Sequence, residues 1–153
     1  MEPVNVAYKG FEITTDKSKM QLDAVHKWLS ESSYWAKNTP FDLVKTAFEH
    51  SFCIAILKDG KQVGYARLFS DYATFGYLAD VYVLEEYRGI GLSKKMMEIL
   101  MNLDWVKRLR RVMLATQDAQ GLYRQFGFTE LPNPERFMVN IINNGYPEQP
   151  QLT

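Results

Sequence analysis

The chain has 153 residues, with 18 Lys and Arg against 18 Asp and Glu and a single cysteine. Balanced charge creates no overall field for nucleic acid or a membrane surface, and no apolar run approaches the ~20 residues that span a bilayer. One cysteine excludes an internal disulfide, so Cys53, between Phe52 and Ile54, reads as a buried strand residue in a reducing compartment.

A composition of 46% apolar and 24% charged residues is that of a globular chain, and the length predicts one domain over residues 1–153. The opening MEPVNVAYKG lacks the cationic and apolar regions of a signal peptide, so the expected location is cytoplasmic. FEITT near the start alternates as a strand. From Met20 to Trp35, Leu22, Val25, His26 and Leu29 recur at helical spacing. Pro40 suits the first turn of a second helix whose apolar face holds Leu43, Val44, Ala47 and Phe48. Two apolar runs, SFCIAILK and KQVGYARLF, flank Asp59-Gly60, a dipeptide that tolerates positive φ and predicts a hairpin. FGYLADVYV is the next strand of this meander.

After it comes EYRGIGLS, then a helix carrying Leu92, Met96, Ile99, Leu100 and Leu103 on one face. The basic run Lys107-Arg108-Leu109-Arg110-Arg111 reads as a solvated helix end. RRVMLAT is strand again, and DAQGLYRQF is a short helix with Asp118 as expected N-cap and Gly127 as stop. RFMVNII is expected as a last strand, and residues 144–153 as a loose tail with two prolines. The order is β-α-α-β-β-β-α-β-α-β. His26 and His50 lack partners at ligand spacing, so no metal is expected.

Gly89 and Gly91 let the backbone approach a ligand, and successive amides entering a helix form a concave donor surface favourable to anions. Arg88 adds a charge that persists at neutral pH. A diphosphate suits this turn. No GxxxxGK[ST] stretch is present, and Lys94 stands where a dinucleotide fingerprint needs its third glycine.

The run Val81-Tyr82-Val83 followed by Arg88-Gly89-Ile90-Gly91-Leu92-Ser93 resembles the acyl-CoA-binding motif of the Gcn5-related N-acetyltransferases (GNAT), with Ser93 where Gly or Ala is usual. Downstream, Ala119, Leu122, Tyr123, Gly127 and Phe128 match the family's second signature, although Thr116 replaces a frequent Asn. The resemblance covers about residues 52 to 142 and implies a mixed α+β fold. Its central sheet would have six to seven mostly antiparallel strands, splayed at the cofactor strand, with about four helices.

The implied activity is transfer of an acetyl group from acetyl-CoA to a primary amine of a small molecule or peptide. The backbone of Val81 and Val83 would pair with the pantetheine, and the amides of Arg88, Gly89, Ile90, Gly91, Leu92 and Ser93 would take the diphosphate. Tyr123 suits the general acid, since a phenol near pKa ~10 keeps its proton at neutral pH. Asp80 is the candidate base; alternation puts it on one face with Leu78 and Tyr82, opposite Ala79, Val81 and Val83. A hydrogen-bonded structural carboxylate is the other reading of Asp80. Asp71 and Tyr72 lie on the loop entering the same strand and are candidate acceptor-binding residues. A non-catalytic acetyl-CoA sensor and an interaction module that keeps only the fold are the alternative classes. Tyr34, Trp35 and Phe41 are expected to be exposed and leave room for a homodimer.

Overall fold

The computed structural model describes residues 1–148. Six strands form one sheet in chain order: β1 (Asn5–Tyr8), β2 (Phe11–Thr14), β3 (Phe52–Lys58), β4 (Lys61–Ser70), β5 (Phe75–Val83) and β6 (Arg111–Met113). All neighbours are antiparallel except β5 and β6, which run parallel. The helices are α1 (Leu22–Ser32), α2 (Phe41–Glu49), α3 (Leu92–Met101), α4 (Asp104–Lys107) and α5 (Gln120–Arg124). The β3–β4 hairpin turns at Asp59 and Gly60 with φ of 49° and 79°, the doubly positive pair that matches the twist of the flanking strands. Lys9 and Gly10, at 50° and 81°, close the β1–β2 hairpin in the same way. β1 is an addition to the expected elements.

Each face of the sheet carries a core. On one, Leu92, Met96, Met97 and Leu100 of α3 pack with Ile54, Ile56, Leu68, Leu78 and Val83. Their spacing gives α3 the single apolar stripe that a sheet can cover. On the other, Val25 and Leu29 of α1 and Val44 of α2 cover Cys53, Tyr65 and Tyr82. Leu43 of α2, expected on the buried face, is 44% exposed, because Val44 alone of this helix is fully buried. Trp28 stacks on Tyr82 with ring centres 4.4 Å apart.

Three expectations change. The apolar stripe assigned to one long helix ends at Met101, and the chain restarts as α4 after Leu103. Asp118 does not cap α5; the N-cap is Ala119, whose amide donates to Thr116 Oγ1 at 3.1 Å. RFMVNII forms no strand: Pro134–Arg136 is a single 3-10 turn, and residues 137–142 are exposed and lie in no helix or strand. An apolar alternating run becomes a strand only where an edge receives it. Residues 144–148 form no helix or strand, and the remainder of the expected tail lies outside the described residues.

Candidate active site

The site begins where the sheet opens. β5 and β6 pair only at Phe75–Arg111, Gly76–Val112 and Tyr77–Met113, whereas β5 continues against β4 as far as Val83 opposite Gly64. From Leu78 onward, β5 therefore has a sheet neighbour on one side only. A cavity of about 510 Å³ lies in this opening, lined by Leu78, Asp80 and Val81 on the β5 wall and by Leu114, Thr116 and Tyr123 on the β6 wall.

Asp80 sits in a bulge. Tyr65 faces Tyr82 and Arg67 faces Ala79, so β5 carries an extra residue, and Asp80 takes φ 54°. The bulge breaks the alternation read from the sequence. Leu78, Val81 and Val83 pack toward the α3 core, while Tyr82 packs toward α1. Asp80 shares the Tyr82 side but not that of Leu78, because it meets Arg67 and Trp35. Its Oδ2 accepts from Arg67 Nε at 2.5 Å and its Oδ1 from Trp35 Nε1 at 2.9 Å. Arg67 also donates to Ser51 Oγ at 3.2 Å. The carboxylate borders the cavity with both oxygens already engaged and a lone pair of each left over.

Tyr123 faces the cavity from α5. The helix ends in a Schellman arrangement: the Phe128 amide donates to Tyr123 O at 3.3 Å and the Gly127 amide to Arg124 O at 3.2 Å, with Gly127 at φ 88°. Tyr123 meets Phe128 edge-on at 5.8 Å and is 7% exposed. Burial, with the nearby Tyr34 and Asp118 adding to it, pushes its phenol up to about 12. The hydroxyl thus holds its proton throughout the physiological range.

At the far end of β5 lies the glycine turn. Gly89 and Gly91 have φ of 84° and 86°, and Gly91 is the N-cap of α3. Its missing side chain matters: a Cβ would stand 3.0 Å from Tyr8 Oη. The first intrahelical bond runs from the Lys95 amide to Gly91 O at 3.0 Å, so the amides before it point out of the helix end. Ile90 is exposed while its carbonyl accepts from Lys9 Nζ at 2.9 Å, and Leu92 is buried. Arg88 Nε donates to Val83 O at 2.9 Å, tying the strand end to the turn with one of five guanidinium donors. Ser93 is half-buried in the first turn of α3.

Asp71 and Tyr72 lie elsewhere and do not line this cavity. Asp71 holds the β4–β5 loop: Oδ1 accepts from the amides of Ala73, Thr74 and Phe75 at 3.0, 2.7 and 3.2 Å. The bond from the Thr74 hydroxyl to Oδ2, and after it these amides, hold its carboxyl well below the usual carboxylate range. Tyr72 packs on Trp105, centroids 4.5 Å apart.

Sequence reading missed Arg67, Trp35 and Tyr34. Arg67 stood in plain view as the one charge inside VGYARLF, but its partner depends on the bulge. Tyr34 Oη accepts from the Gln117 amide at 3.2 Å. With the Trp35–Asp80 bond, the segment after α1 is tied to both walls of the opening. His26 Nε2 pairs with Thr39 O at 3.0 Å. Among the described residues, no group of three His, Cys, Asp or Glu side chains could hold a metal ion, and no helix is long and apolar enough to cross a membrane.

The opened sheet and the glycine-capped helix beside it agree with a match between residues 22–128 and the Acetyltransferase (GNAT) family model. The chain belongs to the GNAT family. It is 32% identical over 142 residues to FG08082 of Gibberella zeae, provisionally named an acetyltransferase, with 80% of each chain covered. A GNAT-family protein from Xanthomonas campestris pv. campestris, with the same provisional name, is similar at 43% identity and a TM-score of 0.84, over 88% of this chain and 94% of that one. A Clostridium acetobutylicum protein solved with acetyl-CoA shares the fold at 11% identity and a TM-score of 0.63, over 92% of this chain and 96% of that one. GNAT membership makes this chain an N-acetyltransferase, of a family that uses acetyl-CoA.

Proposed function

We propose that this acetyltransferase moves the acetyl group of acetyl-CoA to a primary amine of a small molecule or peptide by direct attack in the cavity between β5 and β6. The observation that carries this reading is the meeting of Tyr123 and Asp80 on opposite walls of one cavity, at a strand whose end leads into the glycine turn.

The residues fit the donor. A thioester arm bearing amides finds on β5, beyond Tyr77, a backbone edge with no strand neighbour, so the backbone at Val81 and Val83 extends the sheet onto it. A diphosphate at the turn meets the outward amides from Arg88 to Ser93 and the positive end of the α3 dipole. Arg88, held by Val83 O, adds charge from its remaining donors.

An amine reaches the cavity as an ammonium with a pKa of ~10.4 and must lose a proton to attack. Asp80 attracts and orients it, and passes the proton to solvent through the lone pairs that Arg67 and Trp35 leave open. The nitrogen adds to the thioester carbonyl, the C–S bond breaks, and the thiolate departs. Because Tyr123 is pushed up to about 12 and a thiol ordinarily sits near ~8.5, it meets the thiolate as a hydrogen-bond donor. It shares its proton with the sulfur as charge builds there, and the second proton, shed by the nitrogen as the adduct collapses, makes good what the phenol yields, so that the products are the amide and the CoA thiol with Tyr123 again neutral.

The test measures release of free CoA from acetyl-CoA with a panel of primary amines, beside calorimetric binding of acetyl-CoA. Turnover with at least one amine is expected. Tight binding without turnover across the panel would turn the reading to a non-catalytic sensor, and absence of binding would overturn the donor site.

A further inference from the structure

We propose that the acceptor is a primary amine joined to an aromatic ring by a short carbon chain, and that Trp35, Phe69 and Tyr77 select it. The inference rests on the acetyl transfer proposed above and names what the cavity between β5 and β6 accepts. Five of the sixteen residues lining that cavity are aromatic, Tyr34, Trp35, Phe69, Tyr77 and Tyr123, against 14% in the whole chain. Three of these rings leave much of their surface uncovered: Tyr34, Trp35 and Phe69 are 55%, 42% and 39% exposed. Rings held open around a carboxylate make a binding surface.

Four of the rings come in two pairs. Phe69 on β4 and Tyr77 on β5 oppose each other in the register and stack at 5.1 Å, their planes 22° apart. Tyr34 and Trp35, on the segment after α1, meet edge to face at 4.9 Å. The bond from Trp35 Nε1 to Asp80 fixes that indole beside the carboxylate that takes the ammonium. Tyr77 precedes Asp80 by three residues on the same strand, roughly 10 Å at the usual rise. An ammonium held at Asp80 can therefore send a short chain and a ring to the Phe69–Tyr77 pair. A ring gains offset or edge contacts there that a saturated body of the same size lacks, and Trp35 adds cation–π attraction for the ammonium.

Charge narrows the class further. The charged side chains lining the cavity are Arg67, Asp80 and Asp118. Arg67 already donates through Nε to Asp80 and through Nη1 to Ser51, so Asp118 leaves the lining with an excess negative charge. A cation without a carboxylate of its own fits this field. A free amino acid would bring an anion beside Asp80 and Asp118, and like charges so placed cost affinity. About 510 Å³ leaves room for a ring beside the thioester, since roughly 150 Å³ holds benzene. Transfer turns the ammonium into a neutral amide, with one proton lost to solvent and the CoA thiol released, so the product no longer draws on the carboxylates.

Steady-state kinetics with acetyl-CoA compares phenethylamine, its cyclohexyl analogue, phenylalanine and a lysine-containing peptide. The kcat/KM for phenethylamine should exceed that of the cyclohexyl analogue about 2–10-fold and that of phenylalanine by ~10-fold or more. In a variant with Phe69→Leu and Tyr77→Leu, the first ratio should fall to about one while calorimetric acetyl-CoA affinity is kept. General damage to the fold would lower both rates alike and leave the ratio where it was. Phe69→Leu alone, at an exposed position, repeats the test without touching β5 and should lower the ratio in the same direction. Equal use of phenethylamine and its cyclohexyl analogue would overturn the aromatic acceptor and leave acetyl transfer standing. So would a preference for phenylalanine or the peptide, or a ratio unchanged in both variants. Acetyl-CoA binding without turnover of any amine would overturn both readings.

Discussion

The two walls of the cleft are built to different standards. The β5 wall is paired to β4 along its length, carries buried Leu78, Tyr82 and Val83, and has its bulge fixed by Arg67 and Trp35 around Asp80. The β6 wall is three residues long, joined to the sheet by three residue pairs and bordered on its outer side by a cavity. The lesson is a division of labour. Binding by backbone groups needs a wall that does not yield, because a hydrogen-bond ladder fails on small displacements. A single phenol needs only to be delivered to one point, which a short helix with a firm C-terminus can do.

Removing the acid proposed for the β6 wall should have the largest effect. Tyr123→Phe keeps the ring and its contact with Phe128 while removing the hydroxyl. Steady-state kinetics should show kcat lowered by ~10²-fold or more with acetyl-CoA affinity nearly unchanged. A kcat within about twofold of wild type, with chemistry limiting the rate, would mean that the β6 wall only shapes the cleft.

The β5 wall breaks differently. Arg67→Ala leaves a nearly buried Asp80 carboxylate, its side chain 10% exposed, with one donor fewer. The loss in folding stability should be roughly 1.5–3 kcal/mol, read by denaturant unfolding. Asp80→Asn should cost less, since the neutral amide leaves no buried anion, yet it should lower kcat. Equal losses of stability in the two variants would show that the pair does not hold the bulge.

How much of this was legible follows from the range of the forces involved. The Asp59-Gly60 hairpin, the α3 stripe and the glycine turn are set by residues within a few positions of each other, and each stands where its pattern put it. The bulge at Asp80 is fixed by two β5 residues opposing one on β4, and no local dipeptide marks it. That is why alternation misplaced Leu78 relative to Asp80. β1 has only four residues, too few for a period to register. RFMVNII has the pattern of a strand, but a pattern does not say which edge accepts it. Likewise Trp35 and Tyr34 looked like free aromatics because their partners, Asp80 and Gln117, lie 45 and 83 positions away.

A third intervention acts on the turn at the end of the β5 wall. Gly91→Val places a β-branched residue at φ 86°, with its Cβ 3.0 Å from Tyr8 Oη. Strain of roughly 1–3 kcal/mol should be relieved by shifting the N-terminus of α3, and calorimetry should record weaker acetyl-CoA binding. Arg88→Ala should weaken it less, because one of its roles is to hold Val83 O. Wild-type affinity in both folded variants would remove the turn from the donor site.

The smallest effect compares the walls through pH. Tyr82 on β5 and Tyr123 beside β6 are each pushed up to about 12, chiefly by burial. An unfolded phenol ionises near 10.0, so this stabilisation is whole below that value and is lost as the pH rises toward the folded one. One unit above the unfolded value, each tyrosine should account for roughly 1.4 kcal/mol of lost stability, or about 3–6 °C in Tm for a chain of this size. Tyr82→Phe and Tyr123→Phe should each flatten the alkaline limb by that share. Tyr82 is stacked under Trp28, whereas Tyr123 meets only Phe128 edge-on, so the two shares report on the two walls separately. Thermal melts of both variants at about pH 9 and about pH 11 measure this. An alkaline limb that stays as steep as in the wild type in either variant would mean that burial of that phenol does not contribute to the stability of its wall.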